Sequence, residues 1–436
     1  MQKRRTRLAL LVGLAMLIPA VAWSQIQVTL WDFMSGGDGV RWKQLISDFN
    51  SSQSEVKVNG TTLTWGDPFY TKVHTAVISG QTPDVMTYHI SHFPAGLKAH
   101  DLRPITESEL NSVGLSFKDF NPVLVEKSKE IGNAFGKAGD IYGIPLDTHT
   151  SILYYNKDLL KQAGLLASDG LPKGITGIDN FSAALQKIKD TTGALPLALS
   201  SSQDPATVWR LFYTLFAQQG GSFTPGGTFS LDQLDTIGAK SLQTMVDWTN
   251  KGFMPVAAAY PAAIAMFSSG KAAFMMNGDW EVTTMVDLKK SGKLPFDYGV
   301  MAFPQLFDNR STWADSHEIV IPNNTRNPLS PAKLKAVLTF VAYVEKHSII
   351  WAGSGHIPAY LPVLNSPAMA KLSPNNQFAV QAAKDVYFEP ISTVFGVGTP
   401  ALNYVDNFFF PALSGKMSVQ DAISNFKSSI KSAMDQ

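Results

Sequence analysis

The sequence predicts an α/β fold in which an open, mostly parallel sheet is covered by helices. Short segments with apolar residues at alternate positions, typical of strands, are followed by segments with apolar residues at helical spacing, and this order recurs along the chain. Alternation of this kind favours a parallel sheet. The chain has 436 residues, which exceeds the range that one hydrophobic core supports, so two domains are expected.

The first predicted unit consists of three strands with two helices between them. Ile26, Val28 and Leu30 alternate with polar residues and mark the first strand. The glycine-rich turn 35–39 then opens a helix, and a second strand carries Val56 and Val58. A second helix ends at the glycine of position 80, and a third strand follows over 83–88.

A second unit of the same kind is predicted after residue 143. Strands are expected over 151–155, 196–199, 272–277 and 318–321, and helices over 158–163, 181–188, 206–218, 231–251, 262–269, 330–346 and 419–430. No change in composition separates the two units. This favours two lobes connected by several crossings of the chain, rather than two independent domains that follow one another in sequence.

The first 24 residues have the three parts of an export signal. Lys3, Arg4, Arg5 and Arg7 precede an apolar run over 8–18, and small residues flank Trp23 before the expected cleavage point. The run is shorter than the roughly 20 residues that span a bilayer. An N-terminal membrane anchor and twin-arginine export remain open as alternatives.

Composition excludes several function classes. The chain carries 36 Lys and Arg against 35 Asp and Glu, and loss of the signal leaves 32 against 35. This balance does not indicate a nucleic-acid partner. The sequence contains no cysteine, which excludes disulfides, thiolate catalysis, iron–sulfur clusters and Cys-ligated zinc. A bacterial lipid anchor, which requires a cysteine, is not expected either.

The candidate binding residues lie in loops that follow predicted strands. In open α/β sheets, ligands bind beyond the carboxyl ends of the strands. The loops to consider are therefore 35–39, 87–92, 147–150, 278–281 and 312–317, which are rich in Trp, Asp, His and Gly. A sugar presents weakly apolar ring faces and a rim of hydroxyls, so aromatic plates beside polar side chains suit it.

Six segments, in order, resemble the extracellular solute-binding proteins, family 1, that serve carbohydrate ABC importers: "VTLWDF…FN", "SGQTPDVM", "YGIPLDTHTSILYYNKDLLKQAGL", "SSGKAAFMMNGDWE", "DSHEIVIPNNTRNP" and "SGHIPAYLP". The resemblance implies the two-lobed periplasmic-binding-protein fold, with three hinge crossings and the ligand in the inter-lobe cleft. It places one lobe at 26–147 plus 317–347 and the other at 150–313 plus 350–436. It implies a monomeric, non-enzymatic periplasmic receptor without a cofactor, whose partners are a small carbohydrate and an inner-membrane ABC permease.

The resemblance and the loop positions together give the predicted ligand-binding residues. The family has its stacking aromatic at the position of Trp280, a histidine in some members at the position of His89, and an acid at the position of Asp315. The remaining candidates lie in or near the same loops or at the predicted crossings: Trp313, Asp147, His149, His356, Trp65, Asp38, Tyr88, Asp279 and Tyr404. Arg210 could pair with a carboxylate, but it is expected on a solvated helix face.

Three other interpretations remain open at this stage. A phosphorylated polyol such as glycerol 3-phosphate would need cations or helix N-terminal amides, and only the turn 36–39 offers such amides. A secreted glycoside hydrolase would need two facing carboxylates, for which Asp147 and Asp315 are the candidates. His89 and His92 form an H-x-x-H pair, but no third metal ligand lies nearby in sequence, so no metal is expected.

Overall fold

The structure, a computed structural model, describes residues 25–435. The predicted export signal at 1–24 therefore lies outside the described residues. Twelve strands are present in the described part: β1 (Ile26–Asp32), β2 (Val56–Thr62), β3 (Val85–His89), β4 (Ile144–Pro145), β5 (Asp147–Asn156), β6 (Leu195–Ala198), β7 (Ala272–Gly278), β8 (Tyr298–Ala302), β9 (Thr312–Asp315), β10 (His317–Val320), β11 (Ile357–Pro358) and β12 (Val386–Phe388).

The 19 α-helices of residues 25–435 include nine that lie close to predicted positions and ten that were not predicted from the sequence. They are α1 (Gly36–Ser52), α2 (Asp67–Ser79), α3 (Phe93–Lys98), α4 (Glu107–Asn111), α5 (Pro122–Phe135), α6 (Lys157–Gln162), α7 (Ile178–Thr192), α8 (Pro205–Gln218), α9 (Ile237–Asn250), α10 (Tyr260–Ser268), α11 (Val282–Lys290), α12 (Pro331–Lys346), α13 (Ser348–Ala352), α14 (Leu361–Leu364), α15 (Pro367–Lys371), α16 (Ala379–Asp385), α17 (Pro400–Tyr404), α18 (Phe410–Leu413) and α19 (Val419–Met434). The helix predicted over 231–251 is divided, since a separate turn at Asp232–Asp235 precedes α9.

The strands form two sheets. The first has the order β2-β1-β3-β10-β4, and β1 runs parallel to β2 and β3. The second has the order β12-β9-β5-β7-β6, with β8 and β11 also paired to β5. β5 is antiparallel to β7, β8, β9 and β11. The prediction that both units are built alike and mostly parallel is therefore wrong for the second, because periodicity identifies strands but does not fix their direction.

Each sheet has its own hydrophobic core. Trp42, Phe49 and Phe340 belong to the core around the first sheet, and Trp209 and Phe212 to the main core of the second. The separate cores of the two sheets, the second of which has an additional smaller cluster, agree with the limit on core growth in a chain of this length. None of the helices within 25–435 combines the length and the apolar character needed to cross a membrane.

The chain passes between the sheets at points that lie side by side. β4 belongs to the first sheet and β5, which begins two residues later, to the second. β9 and β10 reverse this passage at Ser316, whose Oγ donates a 2.6 Å hydrogen bond to the backbone oxygen of Asp147. These passages coincide in sequence with two of the crossings implied by the resemblance, while the lobe boundaries remain a prediction.

Candidate functional site

A cleft of about 370 Å³ is lined by residues from both sheets and their loops. Its walls combine aromatic rings, imidazoles, carboxylates and one guanidinium. The lining residues are Phe33, Met34, Ser35, Asp38, Trp65, His89, His149, Gln203, Asp204, Arg210, Tyr260, Trp280, Glu281 and His317. Five of the predicted residues are therefore in the wall of one cleft: Asp38, Trp65, His89, His149 and Trp280.

Trp280 is held in the wall by the turn that ends β7. A Cβ at Gly278 would lie 2.1 Å from the Trp280 ring, so only glycine allows the ring to pack on this backbone. The indole Nε1 donates a 2.8 Å hydrogen bond to Oη of Tyr260, and Tyr260 donates in turn to Glu281 at 2.6 Å. These contacts fix the orientation of a half-buried aromatic plate at the cleft.

Arg210 lines the cleft from α8, and the sequence-based prediction of a solvated face is wrong. The side chain is only 9% exposed, because all but the first residue of α8 is buried among other elements. The guanidinium carbon lies 4.6 Å from the ring centre of Trp280 and 4.4 Å from that of Trp313. Burial lowers the pKa of Arg210, although an arginine stays charged at neutral pH.

His89 lies at the end of β3 and contacts aromatic rings on two sides. Its ring stacks on Phe33 with centres 4.4 Å apart, and its Nδ1 is 2.6 Å from Oη of Tyr70. Burial, together with the neighbouring His317 and His149, lowers the pKa of His89 well below its ordinary value. The imidazole is therefore neutral, with Nε2 left as the ring nitrogen available to a ligand.

Asp147 lies behind the wall and orients two of the cleft histidines. Its Oδ1 accepts from Nδ1 of His149 at 3.0 Å, and its Oδ2 accepts from Nδ1 of His317 at 2.8 Å and from Nε1 of Trp351 at 2.6 Å. Burial alone would raise the pKa of Asp147, but His317 and His356 hold it well below its ordinary value. Asp147 is therefore a charged acceptor. It fixes Nδ1 as the ring nitrogen that His149 and His317 direct toward it.

His356 is fully buried between carboxylates. Its Nε2 lies 3.1 Å from Asp38, and its Nδ1 lies 3.5 Å from Asp147 and 3.6 Å from Asp279. Burial lowers the pKa of this imidazole, but Asp38 and Asp147 outweigh burial and raise it to about 10. At neutral pH His356 is thus a cation that neutralises the acidic residues behind the cleft.

The charge on His356 gives the protein a predictable pH dependence. Because its folded pKa of about 10 exceeds the ordinary value near 6.5, its stabilising effect is complete below pH 6.5 and is lost as the pH rises toward 10. We expect His356→Gln to lower the free energy of unfolding by on the order of 3 kcal/mol more at pH 6 than at pH 9.5. Urea unfolding at both pH values measures this difference.

The exposed His347 offers a matched control for that measurement. His347→Gln should leave the difference between the two pH values equal to that of the unsubstituted protein. A destabilisation by His356→Gln that is the same at pH 6 and pH 9.5 would contradict the proposed charge.

The other predicted residues lie outside the cleft wall, each for a visible reason. The Asp315 carboxylate is occupied by Ser91 Oγ and by the backbone N–H groups of Ser91 and Ser316. Trp313 is 1% exposed and lies behind Arg210, where its Nε1 donates to Glu389 at 2.7 Å.

Tyr88, Asp279 and Tyr404 are likewise engaged elsewhere. Tyr88 is buried against Tyr70 and the backbone of Gly96. Asp279 is buried and accepts from the backbone N–H of Thr150. Tyr404 packs on the second core and stacks with Phe408. Position after a strand was the signal for most of these residues, and it does not distinguish a side chain that points into the cleft from one beneath it.

The histidines considered as metal ligands already have hydrogen-bond or stacking partners within residues 25–435. His92, of the H-x-x-H pair, stacks on Tyr70, and its Nδ1 lies 2.7 Å from the backbone oxygen of Val397. Ligand-type atoms of Asp147, His149, His317 and His356 do lie within 4.8 Å of one another, as do those of His89, His149 and Asp315. The Nδ1 atoms of His149 and His317 donate to Asp147, which can only accept, and the expectation that no metal is bound stays a prediction.

Residues 35–347 match the model of a protein family described as bacterial extracellular solute-binding protein. The chain belongs to this family. Among curated relatives, the arabinooligosaccharide-binding protein of Bacillus subtilis is 26% identical over 236 residues, 52% of this chain and 48% of its own. The chain thus spans about half the length of that relative.

Other relatives and solved structures extend the likeness. The maltodextrin-binding protein MdxE of Bacillus subtilis is 27% identical over 81% of this chain and 79% of its own. The sn-glycerol-3-phosphate-binding periplasmic protein UgpB of Yersinia enterocolitica is 24% identical over 67% and 64%. The GacH receptor of Streptomyces glaucescens, whose structures include an acarbose complex, covers 94% of this chain and 99% of its own, with 20% identity and a TM-score of 0.78. This last likeness shows the fold, which is that of the two-domain periplasmic binding proteins.

Proposed function

We propose that this solute-binding protein is the sugar receptor of a carbohydrate ABC importer in the periplasm. The observation that supports the proposal is the composition of the cleft that residues of both sheets line. Trp280 and Trp65 offer aromatic surface for sugar ring faces. Asp38, Asp204, Glu281 and Nε2 of His149, whose pKa burial lowers to about 3, offer acceptors for hydroxyl protons, and Gln203 and Arg210 offer donors.

Hinge closure supplies the mechanism of capture. The ligand binds the closed state more tightly because only there do residues of both lobes contact it, and this difference in affinity drives the closure. Closure also removes water, which strengthens each hydrogen bond to the ligand. The closed, monomeric protein then delivers the sugar to the inner-membrane permease.

A second candidate ligand is a phosphorylated polyol such as glycerol 3-phosphate. Arg210 in the wall is the observation that favours it, since arginine suits phosphate. Three carboxylates in the same wall oppose it, because a phosphate carries close to two negative charges. Catalysis is not proposed: Asp147 and Asp315, the pair considered for a glycoside hydrolase, lie behind the wall, where other residues occupy their oxygens.

A binding screen of the purified mature protein tests the proposal. Thermal shift against a panel of mono- and oligosaccharides, followed by calorimetry, should give at least one sugar with a Kd of about 1 μM. Glycerol 3-phosphate is included as a competitor, and aryl glycosides are included to detect released sugar. The proposal is overturned if glycerol 3-phosphate binds and no sugar does, or if sugar is released from the glycosides.

A further inference from the structure

Arg210 is a buried cation that the protein itself does not pair. Its Nε has no hydrogen-bond partner within residues 25–435, and no carboxylate of those residues lies within ion-pair distance of it. An unpaired buried charge is unfavourable, so such groups are normally paired. A guanidinium in a cleft wall can obtain the missing partner from a ligand.

The two tryptophans around Arg210 position its guanidinium but accept none of its hydrogen bonds. The rings of Trp280 and Trp313 are perpendicular, with centres 6.3 Å apart, and the guanidinium packs against both. Contact with a ring face stabilises the positive charge but provides no acceptor for the in-plane N–H donors. The guanidinium is therefore fixed in orientation while its donors remain available.

The acidic groups that influence Arg210 already have other partners. Asp204 caps α8. It accepts hydrogen bonds from Oγ1 of Thr207 at 2.5 Å and from the backbone N–H of Thr207. Glu389 accepts from Trp313, and Asp315 from Ser91 and Ser316. Asp204 and Asp315 cannot turn to Arg210 without losing these contacts. Glu389 keeps one oxygen, Oε2, without a hydrogen-bond partner within residues 25–435, but it does not lie within ion-pair distance of Arg210.

We propose that the cleft takes a sugar that carries one carboxylate, such as a hexuronic acid, and that Arg210 receives this carboxylate. The inference rests on the proposed sugar-receptor function and names its substrate class. The planar guanidinium matches a planar carboxylate through two parallel N–H donors. The carboxylate brings one negative charge to the Arg210 guanidinium, whereas a second negative charge would be repelled by Asp38, Asp204 and Glu281 in the same wall.

Calorimetry on matched ligands tests the inference in the unsubstituted protein. The pairs are D-galacturonate with D-galactose, D-glucuronate with D-glucose, and digalacturonate with a neutral disaccharide. Glucose 6-phosphate distinguishes a phosphate from a carboxylate. In the best-binding pair, the acid should bind about 100-fold more tightly than its neutral twin, as expected for hydrogen bonds to a charged group.

Two substitutions then assign the preference to Arg210. Arg210→Gln should abolish the preference for the acid, so that the ratio of the acid's affinity to that of its neutral twin falls from about 100 to about 1. Arg210→Lys keeps the positive charge but lacks the two parallel N–H donors, so it should lower the affinity for the acid about 10-fold. Arg310→Gln, which removes a surface partner of Asp385, is the matched control and should change neither affinity.

The outcomes are separable. A neutral sugar that binds as tightly as its acid, or a phosphate that binds most tightly, overturns the acidic-sugar inference; the first of these leaves the receptor function in place. If no sugar of either kind binds, the receptor function fails as well. Should Arg210→Gln not fold, the matched pairs and Arg210→Lys still decide the question.

Discussion

Replacing Trp280 with alanine is expected to weaken binding of the preferred sugar about 100-fold, which corresponds to about 2.7 kcal/mol. The substitution removes the aromatic plate that the Gly278 turn holds at the cleft. It also removes one of the two rings that position the Arg210 guanidinium, 4.6 Å from its centre. Calorimetry with the best-binding sugar of the screen measures the loss.

Trp31→Ala provides the matched control for this substitution. Trp31 is half-buried beside Lys72 at a separate surface depression and does not line the cleft. The same loss of an indole at this position should change the affinity less than 3-fold, within about 0.6 kcal/mol. If Trp280→Ala and Trp31→Ala bind the sugar equally well, Trp280 is not part of the site.

Asp147→Asn is expected to lower the free energy of unfolding by about 3 kcal/mol. Oδ1 of Asp147 accepts from His149 and from the backbone N–H of His317, and Oδ2 accepts from His317 Nδ1 and Trp351 Nε1. In asparagine an NH2 group takes the place of one of these two oxygens. Whichever oxygen is replaced, the NH2 donor then faces the two N–H donors that this oxygen had accepted from. The buried His356 cation also loses one of its carboxylates. Urea unfolding at pH 7 measures the change.

The control for that experiment is Asp297→Asn, the same chemical change at the surface. The Asp297 side chain is 56% exposed and pairs with Lys157 and Lys289. Exposed ion pairs contribute about 0 to 1 kcal/mol, so this variant should be nearly as stable as the unsubstituted protein. Equal effects of the two substitutions would show that Asp147 does not hold the histidines as described.

The positions of nine helices and of most strands could be predicted from the sequence, because they depend on local periodicity. The alternation of Ile26, Val28 and Leu30 marks β1, and Gly80 ends α2 in the left-handed conformation, with φ of 73°. The direction of the strands in the second sheet could not be predicted. It depends on which distant segments pair with β5, and no local pattern records that choice.

Residues from all five predicted loops line the cleft, but the sequence could not show which side chains of those loops do so. His149 and Asp147 are two residues apart on β5, and only His149 lines the cleft. Asp147 nevertheless acts on the cleft through the histidines that it orients. Arg210 was missed as a cleft residue because it lies in a helix rather than in a loop after a strand, although a lone arginine in the apolar α8 sequence is itself a signal.

The sequence by itself determined the family, the α/β class and the aromatic, acidic and histidine character of the loops, because motifs and periodicity are local properties of the chain. The tertiary structure alone decided which charges are paired. His356 meets Asp38 and Asp147 across more than 200 residues of chain, while Arg210 meets two tryptophan rings and, among residues 25–435, no carboxylate. Pairing depends on distances between segments far apart in sequence, and those distances exist only once both sheets have formed and packed together.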